Sequence, residues 1–137
     1  MRLEVFNRPQ FPDGRSKRLL RSLRRAVSTR ISDVSIVEVY VVQGVPDLGV
    51  ETAREVFSDP VSQELLVGEF AADSVFRGRW SHLVEVTVRP GVTDPVALTA
   101  RDALRACRKG DFPESAIVQT GVQYLVASEP DARLPAA

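Results

Sequence analysis

The strongest constraint on this chain is that it carries the same strand–turn–helix pattern twice. Phe6–Leu23 reads FNRPQFPDGRSKRLLRSL and Val88–Leu104 reads VRPGVTDPVALTARDAL. Each runs from an apolar segment through Arg-Pro to an Asp, then into a helical pattern. Arg8-Pro9 and Arg89-Pro90 are 81 positions apart (89 − 8), and the pairs Asp13/Asp94 and Leu23/Leu104 keep that spacing. Tyr40 and Tyr124 are 84 apart (124 − 40), so the second copy gains three residues between helix and strand. A domain of this size buries roughly 68% of its unfolded surface, enough for one core that two small halves would share. A third echo, Ser58-Asp59-Pro60-Val61 against Thr93-Asp94-Pro95-Val96, sits elsewhere in its copy and reads as the same turn chemistry reached separately.

The predicted order is βαβαβ followed by βαβ. Arg2–Asn7 is a short strand, and Pro9 and Pro12 punctuate a loop. Asp13 can accept from the free amides of a new helix, so it is a candidate N-cap. Leu19, Leu20, Leu23, Ala26 and Val27 recur at helical spacing with arginines opposite. Val34–Gln43 is rich in β-branched residues and predicts a strand. Val50–Phe57 predicts a short helix and Val61–Phe70 a strand after Pro60. Trp80–Arg89 predicts a strand with Val84, Val86 and Val88 on one face and Glu85 and Thr87 on the other. Gly91 makes a turn, Asp94 caps, and Pro95 stands at the first helical position, where its missing N–H is harmless. Val96, Ala100, Ala103, Leu104 and Cys107 form the stripe expected to be buried, the helix ends within Lys109–Phe112, and Ser115–Val126 is the last strand. The expected fold class is α+β, with mainly antiparallel sheets packed with helices as a sandwich. Its parts are a first repeat at 1–70, a connector with a mobile tip at 71–79, a truncated second repeat at 80–126 and a disordered tail at 127–137.

Eighteen basic and eighteen acidic residues cancel. That balance argues against a nucleic-acid binder, which usually carries a basic excess. The charges are segregated, however. Arg15, Lys17, Arg18, Arg21, Arg24, Arg25 and Arg30 lie between Gly14 and Ser32 with no acid among them. From Asp33 to Asp73 the only base is Arg54. The arginine-rich helix reads either as a solvated face or as a docking face for an acidic partner, with Arg18, Arg21 and Arg25 the candidate contacts. It lacks the aromatic anchors of a membrane-surface helix. No apolar run approaches the roughly 20 residues a membrane helix needs, no secretion-signal layout opens the chain, and Cys107 stands alone, so the cytoplasm is expected.

The search for chemistry is nearly empty. His82 is the single histidine, next to Trp80 and Ser81, and with one cysteine no zinc spacing exists. No neighbour of His82 reads as a nucleophile with an orienting partner, so it is expected as a plain edge-strand residue. Cys107 is expected as a buried small hydrophobe. Phosphate-loop, dinucleotide and zinc-protease motifs are missing from the sequence. Asp13 and Asp94 read as helix caps before they read as an acid–base pair. No catalytic residue, cofactor or metal is assigned.

Five stretches in order carry a resemblance: Arg8-Pro9…Asp13-Gly14, VSIVEVYVV (Val34–Val42), SDPVSQEL (Ser58–Leu65), LVEVTVRPGVTDPVALTARDAL (Leu83–Leu104) and QTGVQYLV (Gln119–Val126). Together they resemble the small-subunit family of phosphoribosylformylglycinamidine (FGAM) synthase, called PurS. More closely they are similar to the tandem PurS-like region at the N-terminus of some large synthetase (PurL) chains. The resemblance implies a βαβαβ unit that pairs with a second through its sheet. It implies a non-catalytic scaffold role in purine biosynthesis, bridging synthetase (PurL-like) and glutaminase (PurQ-like) subunits so that ammonia passes between them. ATP and Mg would belong to that complex, not to this chain. The chain departs from the pattern where its second copy stops, because nothing after Tyr124 matches Val50–Phe70. An open sheet edge is therefore expected, available to another chain or to self-association. An alternative is an ACT-like regulatory module, with Gly91 and Asp94 at a turn suited to an amino-acid or phosphate ligand. An independent enzyme is the weakest reading, for want of acid, base and nucleophile.

Overall fold

A computed structural model describes residues 1–108 and 112–129. The elements are β1 (Arg2–Asn7), α1 (Gly14–Ala26), β2 (Ile31–Gln43), α2 (Val50–Phe57), β3 (Gln63–Val67), α3 (Phe70–Phe76), β4 (His82–Thr87), α4 (Pro95–Cys107) and β5 (Ile117–Ser128). The strands form a single sheet in the order β3-β1-β2-β5-β4, with antiparallel neighbours throughout. The fold is thus α+β, as the sequence predicts. One sheet runs through both parts of the chain.

β2 and β5 are the long central strands, paired from Ile31↔Ser128 to Gln43↔Ile117 with one irregularity between Ile31 and Asp33. A central strand covered on both faces needs apolar residues on both, which explains the run of β-branched residues in β2. Val34, Ile36 and Val42 are buried toward one face, Val37 and Val39 toward the other.

The helix-bearing face holds two clusters. Leu3, Val5, Val42, Leu65 and Val118 pack under Ala53 and Phe57 of α2 and Ala97 and Leu104 of α4. Ile31, Val34 and Val126 pack under Leu19, Leu20 and Leu23 of α1. On the opposite face Val37, Leu125, Phe6 and Leu83 pack with Ala71 and Trp80.

The spacings of the sequence reappear as strand register. Leu3 pairs with Tyr40; moving 81 and 84 positions on gives Val84 and Tyr124, which also pair. Val5↔Glu38 becomes Val86↔Val122 in the same way. Between the central strands Glu38 stands opposite Val122, the residue 84 positions beyond it (122 − 38). An approximate two-fold axis therefore crosses the sheet between Glu38 and Val122.

Coverage breaks this symmetry. Leu3 and Val5 are 0% and 1% exposed beneath α2 and beside β3, whereas their equivalents Val84 and Val86 are 38% and 54% exposed. Among the described residues β4 pairs with β5 alone, so its outer edge is open. The same contrast separates the helices: Leu104 of α4 is fully buried, while α1 has no buried residue and its Leu23 is half-buried.

Several expectations need correction. The connector at 71–79 contains α3, whose first residue follows the β3 strand closely enough for Ala71 N–H to reach the carboxylate of Glu4. The stripe of α4 holds at Ala100, Ala103 and Leu104 but not at its start, where Ala97 is buried and Val96 is 56% exposed. Cys107 is exposed, because it lies one turn beyond Leu104 at the helix's last position. Val84 and Val86 share a face as predicted, but among the described residues no helix covers them. β5 runs on to Ser128, so 127–128 belong to the sheet; the expected tail at 130–137 and the helix end at 109–111 lie outside the described residues.

The asymmetry has a direct consequence. Leu104→Ala, at a fully packed site, is expected to destabilise the fold by about 3 kcal/mol, and Leu23→Ala at the equivalent half-open site by about 1 kcal/mol. Denaturant unfolding of the two variants checks this; equal losses would contradict the difference in coverage.

Candidate interaction surface

α1 begins at Asp13, whose Oδ1 accepts from the Arg15 backbone N–H at 2.9 Å. The Asp13 carboxylate also receives the Arg15 side chain at 3.0 and 3.2 Å. Arg15 in turn donates to Glu38 at 2.9 Å, tying the start of the helix to the centre of β2. Near the other end, Arg24 donates to the carbonyls of Ile31 at 2.8 Å and Ser32 at 3.3 Å. Cations in a last turn also suit the helix dipole. Arg15 and Arg24 are therefore structural.

The remaining cations of α1 are different. Lys17, Arg18, Arg21 and Arg25 are exposed, and among the described residues no acidic side chain pairs with them. The three arginines singled out by sequence are thus accessible cations. Arg18, Arg21 and Arg25 follow one another at spacings of three and four, so they form one exposed stripe along α1.

Asp94 repeats the capping role of Asp13. Its Oδ1 accepts from Ala97 N–H at 3.0 Å, and its other oxygen accepts from the Thr120 hydroxyl. Burial pushes the Asp94 carboxyl up, but the bonds from Thr120, Ala97 and Val96 outweigh this and hold it below its ordinary value. At Asp13 burial is likewise outweighed, here by Arg15. Neither Asp faces the other as an acid–base pair would: each is engaged by its own helix. Gly91 has φ +82°, a backbone only glycine adopts easily, and Val92 N–H closes the turn onto Arg89 at 3.1 Å. Asp59, the false echo, accepts from Val61 and Ser62 N–H at 2.8 Å each, a local turn rather than a helix cap.

His82 is exposed on β4, an edge strand as expected. Among the described residues no group of three or more His, Cys, Asp or Glu side chains could hold a metal, and no helix is long and apolar enough to cross a membrane.

Two features escaped sequence reading. The first is a polar bridge on the face opposite α1. Arg2 reaches Glu85 at 2.8 Å and Glu4 at 3.4 Å, and Gln123 donates to Glu85 at 2.8 Å. Glu4 is 1% exposed and is the 81-position equivalent of Glu85, so one arginine joins matching carboxylates from β1 and β4. The Arg2 hydrogen bond is the main reason the Glu85 carboxyl lies below its ordinary value. A Glu at the same place in both strands was the available signal.

The second is a cleft of about 640 Å³. β1 pairs with β2 only as far as Val5↔Glu38, then continues on β3 alone to Asn7↔Gln63. The opening that results is lined by Phe6, Asp13, Lys17, Ser35, Arg79 and Trp80 among others. Its size falls in the range of small-molecule sites.

Comparisons with family models, with curated proteins and with solved structures find no match for the chain.

Asp13→Ala and Asp94→Ala are each expected to destabilise the fold by about 1 kcal/mol through loss of a cap. Both carboxyls lie below their ordinary 3.8 in the folded chain. Their contribution is therefore complete at neutral pH and is lost as pH falls from about 4 through the lowered folded values. Acid titration of stability should show a shallower loss in the double variant; an unchanged acid limb would contradict the capping roles.

Proposed function

We propose that the chain is a non-catalytic scaffold subunit of PurS type, built from two PurS-like repeats, the second represented by its βαβ part. It would serve an FGAM synthase complex in purine biosynthesis, bridging synthetase and glutaminase subunits for ammonia transfer. The observation that supports this best is Glu38 standing opposite Val122, with β4 on β5 in the register of β1 on β2. That is the arrangement two βαβ units produce when they pair through their sheets, and the resemblance carried by the sequence implies it. The chemistry assigned to such a subunit is positioning alone: ATP, Mg and the reacting groups belong to its partners. The accessible cations of α1 suit an acidic partner surface, where rim charges set encounter rate and register.

A second reading rests on the cleft. An ACT-like module would bind an amino acid or nucleotide there, with Arg8, Lys17 and Arg79 as the cationic groups of its wall. Thermal stabilisation by such ligands without any partner protein favours this reading over the scaffold.

The chain mixed with synthetase and glutaminase subunits from its own source should be required for glutamine-dependent amidine formation but not for the reaction with free ammonia. Reversing Arg18, Arg21 and Arg25 to Glu should leave melting unchanged and weaken complex formation at least about tenfold. A chain that neither binds nor alters either activity would remove the scaffold reading. Intact binding by the triple variant would remove the arginine face from it.

A further inference from the structure

The most exposed apolar part of the sheet lies on β4, and the molecule contains a template for what covers such a surface. On the β1 side, α2 lies over Leu3 and Val5, and β3 pairs antiparallel along the edge of β1. The equivalent positions on the other side are the open edge of β4 and the exposed valines 84 and 86. α2 also packs against α4, in a groove formed with Tyr40 by Val96, Thr99, Ala100 and Ala103. Counting back 81 positions, the matching flank of α1 presents Arg15, Arg18, Leu19 and Ser22, and Tyr124 replaces Tyr40. Arg15 reaches Glu38 across this flank, and Glu38 is paired with Val122 beside Val86. The template thus puts the equivalent groove between α1 and β4, over Val84, Val86 and Tyr124. Arg18 belongs to that flank, and Arg25 continues its line two turns further along the helix.

We propose that this groove docks a helix–strand pair of a partner protein, with the strand antiparallel to β4 and an acidic helix over Val84 and Val86 beside Arg18 and Arg25. Charge separates it from its template. The flank of α4 under α2 carries no charge, whereas the α1 flank is cationic, so the fitting helix is acidic on the side that meets it. The chain's own Val50–Val67 is acidic in composition, with Glu51, Glu55, Asp59 and Glu64 against one Arg54, while Val56 and Phe57 are what it turns to the groove with α4. Backbone pairing would satisfy the open edge, and the helix would remove the valines from water. The inference deepens the scaffold reading by naming the kind of partner segment. It rests on the repeated geometry and not on the purine role, so each can fail without the other.

The test uses the full chain with a second copy of residues 44–68 appended after Ala137, which places the helix–strand probe at high effective concentration. Backbone amides of β4 are followed by hydrogen exchange in the native and extended chains. In the native chain the outward-facing amides of β4 should exchange fast. In the extended chain they should slow by about tenfold or more. Val84→Asp with Val86→Asp should abolish that protection in the extended chain, and Arg18→Glu with Arg25→Glu should reduce it, most at low salt. Unchanged exchange on extension would overturn the proposal. So would protection already present in the native chain that grows with concentration, because the groove would then belong to a second copy.

Discussion

Everything in this molecule is placed by the antiparallel ladder between β2 and β5. It is the longest pairing in the sheet, and it joins strands that are distant in the chain. β1 and β4 attach to its outer sides, and the core clusters on both faces are built on its side chains. Without it the chain would be two short sheets, each with half a core and an exposed inner edge. A small domain tolerates neither, because the area it buries barely offsets the entropy of ordering the chain. The Arg2 bridge to Glu4 and Glu85 reinforces the joint by linking the strands outside it.

The two sides of the ladder share a register but not a surface. One side is finished by α2 and β3, and its apolar residues are sealed. Among the described residues the other has no such pair, so the valines of β4 are exposed and α1 rests on its cluster with no residue of its own fully buried. Natural sheets usually shield an edge with charge, brevity or a covering element. Here β4 is short, and its Glu85 is tied to Arg2 and Gln123 on the face away from α1. The proposed docking combines an open edge, exposed valines and the arginines of α1: backbone pairing for affinity, charge for choice of partner.

Much of this was legible in the residues. The spacings of 81 and 84 in the sequence became strand register without adjustment, because period-two side-chain alternation leaves no room for a slip of one residue. Asp13 and Asp94 were legible as caps because the chemistry is local. The failures are all tertiary. Ala71–Arg79 lacks a clear helical signal, and α3 is placed by Trp80 and Ala71 packing on the sheet. Val96 and Cys107 are apolar, yet whether they are buried depends on which neighbour lies over the helix, and periodicity does not specify that. The cleft arises where β1 leaves β2 for β3, a divergence that no short motif encodes.

The most direct test of the central claim is the register of the β2–β5 ladder, read from interstrand nuclear Overhauser contacts in isotope-labelled protein. Contacts placing Glu38 opposite Val122, flanked by Tyr40 opposite Thr120 and Ile36 opposite Tyr124, are the predicted result. A ladder displaced from that register, or β5 pairing with β4 but not with β2, would contradict the two-fold arrangement on which the fold and its open side are interpreted.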